Sequence, residues 1–413
     1  MINVTLTDIG HRGVAVGHLP AEPGHTRGKT VFARFGLPGE TVAVEVTSEN
    51  AKYLRGDVVE VLENPSPHRV VHPWAEGGPG GVGGADLGHV EFAFQAEWKT
   101  RVLRSTLRRV GGEALAEHLD EVGIEPRVRT LPSDLPGGGW HTRTRIELTA
   151  DAEGRLGMYR ERGKEILPLH SMPLAVPEIA ELGLLEGRWN SVIRPGDRVR
   201  AVAPSGSDPV VVINREVESA PGIGVSPFVT EDVVVDGALY SYRVRAGGFW
   251  QVHRMAPETL IRLVMRAARP HDGDRVVELY AGAGLFTQPL AIAVGAGGRV
   301  SSVEGSALAV EDARANLRDF PWAQAATGKV TPRVASTPAD VVVADPPRSG
   351  LGVDVAKVLG SGEARRIVLI SCDPAAMARD VATLVAEGRR VTSIESVDLF
   401  PNTYHFEVVT ALE

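Results

Sequence analysis

The sequence is poor in cysteine and has no long apolar run. Cys372 is the only cysteine among 413 residues, so the chain forms no intrachain disulfide and no four-cysteine zinc or iron–sulfur site. No apolar run approaches the length that crosses a bilayer, and the N-terminus lacks a basic head followed by an apolar core. We therefore expect a cytoplasmic protein with no membrane partner.

The sequence also lacks an excess of positive charge. Its formal net charge is -8, which gives no general attraction to nucleic acid, so any such partner would have to be held by a local basic patch. The remaining composition, 43% hydrophobic and 23% charged, is typical of a globular protein, and the length allows two or three domains.

Residues 1–62 have the pattern of short strands interrupted by frequent turns. Ile2, Val4 and Leu6 alternate with polar residues, and glycines recur at close spacing, which predicts a small β-barrel of the OB type. Basic and aromatic side chains interleave in this segment, a combination that stacks bases and neutralises phosphates: Lys29, Phe32, Arg34, Phe35, Lys52, Tyr53 and Arg55. The alternative is an ordinary small β-domain with a solvated face.

Residues 63–243 form a second segment, which begins with a glycine-rich loop. A helical pattern follows, and its arginines either form a solvated face or bind phosphate, two possibilities that the sequence leaves open: Arg101, Arg104 and Arg108. From Val128 to about Arg243 strands and turns predominate, so we expect a β-rich central domain. Four arginines give it some basic character: Arg127, Arg129, Arg143 and Arg145.

In the third segment, residues 244–413, strands alternate with helices after Pro270. The expected strands are residues 275–279, 300–303, 341–344 and 366–371. This alternation implies a parallel sheet covered on both faces, in which ligands bind beyond the carboxyl ends of the strands. Three of the four motifs described next lie at those ends.

The first motif is the glycine loop Glu278-Leu-Tyr-Ala-Gly-Ala-Gly-Leu-Phe286. It is similar to a dinucleotide-binding loop, although Thr287 occupies the position of the third glycine. Glu304 ends the next strand, 22 residues after Gly282, where an acidic side chain can accept hydrogen bonds from ribose hydroxyls. The pair predicts a site for a nucleoside cofactor.

The second motif, Val343-Ala-Asp-Pro-Pro-Arg-Ser-Gly350, places Asp345 at a strand end before two prolines. The prolines fix the backbone as a rigid shelf beside the cofactor. A simple turn after a strand would also explain the prolines, but it accounts poorly for their place after the glycine loop.

The third motif contains Cys372, at a turn from a buried strand to a helix that Asp373-Pro374 opens. The positive end of that helix is expected to stabilise a thiolate. An inert buried cysteine is the alternative.

The fourth motif is the C-terminal tail, in which Glu407 interrupts an apolar strand and His405 precedes it on the same face. A glutamate at an edge strand can simply face solvent. If Glu407 faces the site, desolvation would raise its pKa and suit it to proton transfer.

Together these motifs resemble those of the RNA uracil-5-methyltransferases: Glu278-Leu-Tyr-x-Gly-x-Gly, Asp345-Pro-Pro-Arg348, Ser371-Cys-Asp-Pro374 and Phe400-Pro-x-Thr-x-His-x-Glu407. Phe249-Trp-Gln-Val-His253 is similar to the family's segment before the catalytic domain, and Phe35-Gly-Leu-Pro-Gly-Glu40 is similar to its TRAM domain. The resemblance covers nearly the whole chain.

The resemblance implies an α/β fold, with a Rossmann-like class I methyltransferase domain that uses S-adenosyl-L-methionine. An OB-like TRAM barrel and a β-rich central domain would precede it, and a monomer would act on rRNA or tRNA. It also implies roles for Cys372 as the nucleophile at carbon 6 of a uridine and for Glu407 as the base that removes the carbon-5 proton. The cofactor contacts that it implies are Gln251, Tyr280, Gly282, Glu304 and Asp345.

Two features depart from the family pattern. Many members hold an iron–sulfur cluster with cysteines around a Cys-Gly-Gly-Cys, whereas the corresponding stretch here, Val82 to His89, has no cysteine, so we expect no cluster. Asp373 stands where the family usually has Asn, and both residues are good helix N-caps.

Two other functions are compatible with parts of the sequence. Asp-Pro-Pro also occurs in enzymes that methylate exocyclic amines, which need no cysteine nucleophile. A non-catalytic RNA-binding protein would be expected to have a damaged cofactor loop and nucleophile, and neither is damaged here. The sequence does not name the target RNA or its uridine.

Overall fold

The computed structural model describes residues 1–21, 28–161, 163–214, 216–218 and 226–413. Within the described residues, no helix combines the length and the apolar character that crossing a bilayer requires.

The N-terminal segment is a closed barrel with the strand order β1-β2-β3-β5-β4, as the alternating pattern predicts. Val4, Leu6, Val42 and Val44 point into its core, at 5% exposure or less. The strands are β1 (Ile2–Gly10), β2 (Val14–His18), β3 (Thr30–Arg34), β4 (Thr41–Glu49) and β5 (Tyr53–Glu63). Arg34 and Phe35 are buried, so these two members of the basic and aromatic set do not face solvent.

A long helix, α1 (Phe92–Glu121), follows the glycine-rich loop and is interrupted at Gly112, whose φ is 82°. Leu103 and Leu107 are buried, whereas Val110 is 40% exposed. Arg101 pairs with Glu97, and Arg104 donates to the Pro126 carbonyl, so both arginines have contacts within the protein. Arg108 is exposed.

The central segment contributes a six-stranded sheet with the order β12-β11-β10-β7-β8-β9 and a separate hairpin, β13-β14. Arg145 is buried and pairs with Glu231, so it adds no charge to the surface. The elements are β6 (Val128–Thr130), β7 (Arg145–Ala150), β8 (Leu156–Tyr159), β9 (Ile166–Pro168), α2 (Pro177–Ala180), β10 (Arg198–Val202), β11 (Val210–Ile213), β12 (Glu216–Glu218), β13 (Phe228–Val235) and β14 (Ala238–Arg245).

The C-terminal segment builds an eight-stranded sheet with the order β17-β16-β15-β18-β19-β21-β20-β6. Its strands are β15 (Arg275–Leu279), β16 (Arg299–Glu304), β17 (Ala323–Thr327), β18 (Val341–Ala344), β19 (Arg366–Ser371), β20 (Val391–Asp398) and β21 (Glu407–Leu412). Its helices are α3 (Ala256–Ala268), α4 (Thr287–Val294), α5 (Ala307–Asn316), α6 (Pro332–Ala335), α7 (Val353–Ser361) and α8 (Pro374–Ala386). This is the predicted α/β architecture.

The strand directions place the motifs at one edge of this sheet. Strands β15 to β19 run parallel, whereas β21 is antiparallel to both of its neighbours. The start of β21 therefore lies beside the carboxyl end of β19. Strands β16 and β17 lie on one side of β15, whereas β18 and β19 lie on its other side, so the strand order switches direction between β15 and β18. Such a switch point opens a crevice for ligands.

The three segments share hydrophobic cores. One cluster of buried side chains includes Val4 of the barrel, Trp98 of α1, Val277 of the large sheet and Phe406, which precedes β21. Strand β6 of the central segment also pairs with β20. The division at residues 62 and 243 stays a prediction about folding units, and packing continues across both boundaries.

Candidate functional site

All seven residues that the sequence singles out line one crevice at the carboxyl edge of the large sheet: Gln251, Tyr280, Gly282, Glu304, Asp345, Cys372 and Glu407. The crevice has a volume of about 1590 Å³ and extends from the glycine loop to the central sheet. It lies where the switch between β15 and β18 predicts a ligand site.

The glycine loop turns sharply at the end of β15. Tyr280 and Gly282 have φ values of 64° and 57°, in the left-handed region that favours glycine. Glu304 fixes this turn, because its carboxylate accepts hydrogen bonds from the Gly282 amide at 3.1 Å and the Ser306 amide at 2.7 Å. Each carboxylate oxygen retains a second lone pair for a ligand hydroxyl.

Behind this loop, Glu278 is almost fully buried and accepts a hydrogen bond from the Thr287 hydroxyl. Burial, together with the nearby Asp345 and Glu304 carboxylates, raises the pKa of Glu278 to about 8. Thr287 therefore has a structural contact of its own at the position where a dinucleotide loop has its third glycine.

Asp345 follows β18, with Pro346 buried behind it and Pro347 exposed. Its backbone amide donates to the Leu279 carbonyl at 3.2 Å, which ties the Asp-Pro-Pro shelf to the strand that precedes the glycine loop. Burial and the neighbouring Glu304 raise the pKa of Asp345 to about 7. A simple surface turn would not hold a carboxyl group in this environment.

Cys372 directly follows β19 and is half-buried at the wall of the crevice, so it is not sealed in a core. Asp373 caps α8 as predicted, accepting from the Ala375 and Ala376 amides at 3.0 and 2.8 Å. The expectation that the helix end stabilises a thiolate is wrong for this state of the molecule. Burial and the nearby Glu407 and Asp345 raise the pKa of the Cys372 thiol to about 12, so the sulfur carries a proton at rest.

Glu407 begins β21, which lies between β19 and β20, and its exposure is 6%. The alternative of a solvent-facing glutamate on an edge strand is therefore excluded. Burial and the Asp345 carboxylate raise the pKa of Glu407 well above its ordinary value. The predicted desolvation of this side chain is thus present.

Arg348 and His405 complete this end of the crevice. Arg348 Nη2 lies 3.3 Å from His405 Nε2. Burial and the Arg348 charge lower the pKa of His405 to about 3, so the imidazole is neutral and its Nε2 can accept a hydrogen bond from the guanidinium. Arg348 belongs to the second sequence motif and His405 to the fourth. Their contact joins positions 57 residues apart and could not be predicted from the spacing within either motif.

Four carboxyl groups cluster at one end of the crevice: Glu304, Asp345 and Glu407 line it, and Glu278 is buried behind the glycine loop. Asp345 raises the pKa of both Glu278 and Glu407, which means that these groups lack enough positive charge around them. The residues present therefore fit a cationic ligand with hydroxyl groups.

Sequence reasoning missed two contributions to the site. Arg200 and Glu147 line the crevice from β10 and β7 of the central sheet and pair with each other at 2.9 Å. His11, in the turn between β1 and β2 of the barrel, lies 3.7 Å from the Asp373 carboxylate. No local signal marks these residues, because the chain brings them to the site from distant elements.

Two family models match this chain. Residues 333–413 match the model of tRNA (uracil-5-)-methyltransferases, and residues 1–59 match the model of the TRAM domain.

Similar proteins cover nearly its whole length. An RNA methyltransferase of Streptomyces avermitilis is 37% identical, over 94% of each chain. A 23S rRNA (uracil(1939)-C(5))-methyltransferase of Chromohalobacter salexigens is 30% identical, over 99% of this chain and 88% of the relative. Among solved structures, the tRNA (uracil-54, C5)-methyltransferase of Pyrococcus abyssi in complex with S-adenosyl-L-homocysteine has a TM-score of 0.69 over 100% of both chains, at 21% identity. At 21% identity, the similarity to this last structure shows a shared fold alone.

Proposed function

The chain belongs to the uracil-5-methyltransferase family of RNA methyltransferases, and on that premise we propose that it methylates carbon 5 of a uridine in rRNA or tRNA through a covalent bond to Cys372. The observation that carries this proposal is the meeting of Cys372, Glu407 and the glycine loop in one crevice.

The chemistry requires a nucleophile because carbon 5 of uracil reacts poorly by itself. Addition of the Cys372 thiolate to carbon 6 gives an enolate whose carbon 5 can attack a methyl group. Glu407, in its ionised form, then removes the proton from carbon 5, the bond between carbon 6 and sulfur breaks, and Cys372 leaves as a thiolate. This elimination restores the double bond between carbons 5 and 6 of the base. Loss of the proton from Glu407 and protonation of Cys372 return the enzyme to its initial state.

S-adenosyl-L-methionine, when bound, supplies an electrophilic methyl group on a positively charged sulfonium. The carboxyl groups of Glu304, Asp345 and Glu407, which line one end of the crevice, fit such a cation. In the proposal, Gln251, Tyr280 and Gly282 contact this cofactor, Glu304 binds its ribose hydroxyls, and Asp345 lies at the end that carries the methyl group.

The high pKa of the Cys372 thiol restricts when it can react. Since burial and two carboxyl groups hold the sulfur protonated, a thiolate forms only when positive charge or hydrogen-bond donors enter its surroundings. Arg348 is one such donor, because its charge lowers the pKa of the thiol. We infer that substrate binding, which rearranges these neighbours, activates the cysteine.

The target uridine has to leave its stack for Cys372 and the methyl donor to reach the ring, so a flipped base or a single-stranded loop is expected. The TRAM barrel and the central sheet would bind the surrounding RNA. The proposal includes a monomer in the cytoplasm, without an iron–sulfur cluster.

The position of the methyl group tests this function. RNA from cells without the gene is incubated with the protein and labelled S-adenosyl-L-methionine, digested to nucleosides and analysed by mass spectrometry. The proposal predicts 5-methyluridine with the native protein and none with Cys372→Ala. Methyl groups on exocyclic amines would contradict it and favour an amine methyltransferase, and an absence of labelled RNA together with no cofactor binding in calorimetry would favour a non-catalytic RNA-binding protein.

A further inference from the structure

The segment between β20 and β21, residues 399–406, is buried to an unusual degree for a loop. Leu399, Asn402, Thr403 and Phe406 are each at most 3% exposed. Loops normally run over the surface because their backbone polar groups need partners. This segment carries His405 and leads directly into Glu407, so whatever supplies its partners also controls the geometry of the reacting end of the site.

Helix α1 supplies those partners through two side chains one turn apart. The Gln95 side chain is 1% exposed. Its Oε1 accepts from the backbone amide of Asn402 at 2.9 Å, and its Nε2 donates to Asn402 Oδ1 at 2.9 Å. Lys99, which is fully buried, donates from Nζ to Asp398 Oδ2 at 2.6 Å and to the Phe400 carbonyl at 3.2 Å. Residues at i and i+4 lie on the same helix face, so both contacts come from one side of α1.

A chain of hydrogen bonds leads from Lys99 towards the site. The Phe400 carbonyl, which Lys99 contacts, also accepts from the Thr403 hydroxyl at 2.8 Å. The same hydroxyl oxygen accepts from the His405 amide at 3.1 Å. His405 in turn contacts Arg348. The Lys99 contact thus connects to the crevice through three residues of the segment.

The buried pair of Lys99 and Asp398 is costly to desolvate, and an ion pair of this kind is weak evidence for stability alone. The pair instead holds the start of the segment, because Lys99 donates to the Phe400 carbonyl and Asp398 Oδ1 accepts from the Phe400 backbone amide at 3.1 Å.

We propose that Gln95 and Lys99 are positioning residues, through which helix α1 of the central segment holds the 399–406 segment so that Glu407 is aligned with the target base. The proposal rests on the proposed function for the role of Glu407. It links the central segment, which has no residue in the proposed chemistry, to the step that releases the product.

The test uses Lys99→Met/Asp398→Asn and Gln95→Leu in the full chain. Lys99→Met alone would leave Asp398 buried without a counter-ion, and the double variant removes both charges at similar volume. Glu97→Gln is the matched control, because it removes one charge on an exposed face of the same helix.

Both variants are expected to fold and to bind S-adenosyl-L-homocysteine like the native protein. Amide hydrogen exchange in residues 399–406 should accelerate, and kcat should fall by roughly tenfold to a hundredfold with KM unchanged, as a small misplacement of a reacting group predicts. A denaturant-resistant RNA adduct should accumulate during turnover, because release is slowed. Glu97→Gln should match the native protein in every measurement.

Two results would overturn the proposal. One is a folded double variant with native kcat and native exchange in the segment. The other is a loss of kcat that parallels a loss of cofactor affinity, which would indicate a general structural role. Exchange and cofactor binding need no turnover, so they test the contact even if the native protein forms no 5-methyluridine, a result that would contradict the proposed function separately.

Discussion

At the scale of single residues, the crevice is dominated by groups that hold protons. Burial raises the pKa values of Glu278, Asp345, Glu407 and the Cys372 thiol. A cysteine at a helix N-terminus was expected to be acidic, and here burial, together with the nearby Glu407 and Asp345 carboxyl groups, outweighs the effect of the helix end on the pKa. The position of each group could be predicted from its strand end, but the balance between these charges depends on distances that only the folded chain defines.

The raised pKa of Glu278 predicts a pH-dependent stability. Glu278 titrates near 4.5 when unfolded and near 8 when folded, so between these values only the folded state keeps the proton. The free energy of unfolding should therefore fall as the pH rises through this window. Asp345, with a folded pKa of about 7, acts in the same direction.

Thermal unfolding of the native protein and of Glu278→Gln at several pH values checks this prediction. The variant stays neutral, so its unfolding temperature should decrease less with rising pH than that of the native protein. Thr287 can still donate to the amide oxygen of the new side chain. Parallel curves would show that Glu278 is already ionised in the folded protein.

At the scale of elements, strands with continuous or alternating apolar residues were predictable. The expected bounds of residues 275–279, 341–344 and 366–371 agree with β15, β18 and β19. β17 was missed because its sequence, Ala-Gln-Ala-Ala-Thr, has small and polar residues at the edge of the sheet. The contacts of Gln95 and Lys99 with the tail, and of His11 with Asp373, were also unpredictable, since they join positions about 300 or more residues apart.

The glycine-rich loop before α1 is held in place by the packing of buried side chains. Trp74, Val82 and Ala85 are each at most 5% exposed and belong to the same buried cluster as Leu174. Apolar side chains thus occupy the stretch in which many family members have cluster cysteines.

Matched substitutions in this stretch measure that packing. Val82→Ala should lower the free energy of unfolding by about 2 kcal/mol, because it removes buried methyl groups and leaves a cavity. Val71→Ala makes the same change at a side chain that is 91% exposed. It should lower the free energy of unfolding by about 0.5 kcal/mol or less. Denaturant unfolding gives both values. Equal effects of the two substitutions would contradict a packed stretch.

At the scale of the whole molecule, the barrel meets the catalytic edge of the large sheet. His11 lies beside Asp373, and its proximity lowers the pKa of that carboxyl to about 2. Gly13, in the same turn, approaches Tyr404 so closely that a Cβ there would lie 3.2 Å from the Tyr404 Cβ. The barrel is therefore in direct contact with Asp373, which follows Cys372, and with Tyr404, which lies three residues before Glu407.

This contact predicts that the barrel affects turnover as well as RNA binding. His11→Ala should lower kcat by roughly tenfold, because Asp373 and Tyr404 lose a neighbour that fixes their positions. Affinity for S-adenosyl-L-homocysteine, measured by calorimetry, should not change. His18→Ala, on an exposed part of the barrel, is the control. Equal kcat values for the two variants would contradict the coupling.

The most direct test of the central claim, covalent catalysis by Cys372, is the mass of the trapped intermediate. Glu407→Gln is incubated with substrate RNA and S-adenosyl-L-methionine, and the denatured complex is digested with protease and ribonuclease. The account predicts a methylated uridine nucleotide attached to the peptide that contains Cys372, and no adduct when Cys372→Ala is added. An adduct on another residue, or 5-methyluridine formed by the Cys372→Ala protein, would contradict it.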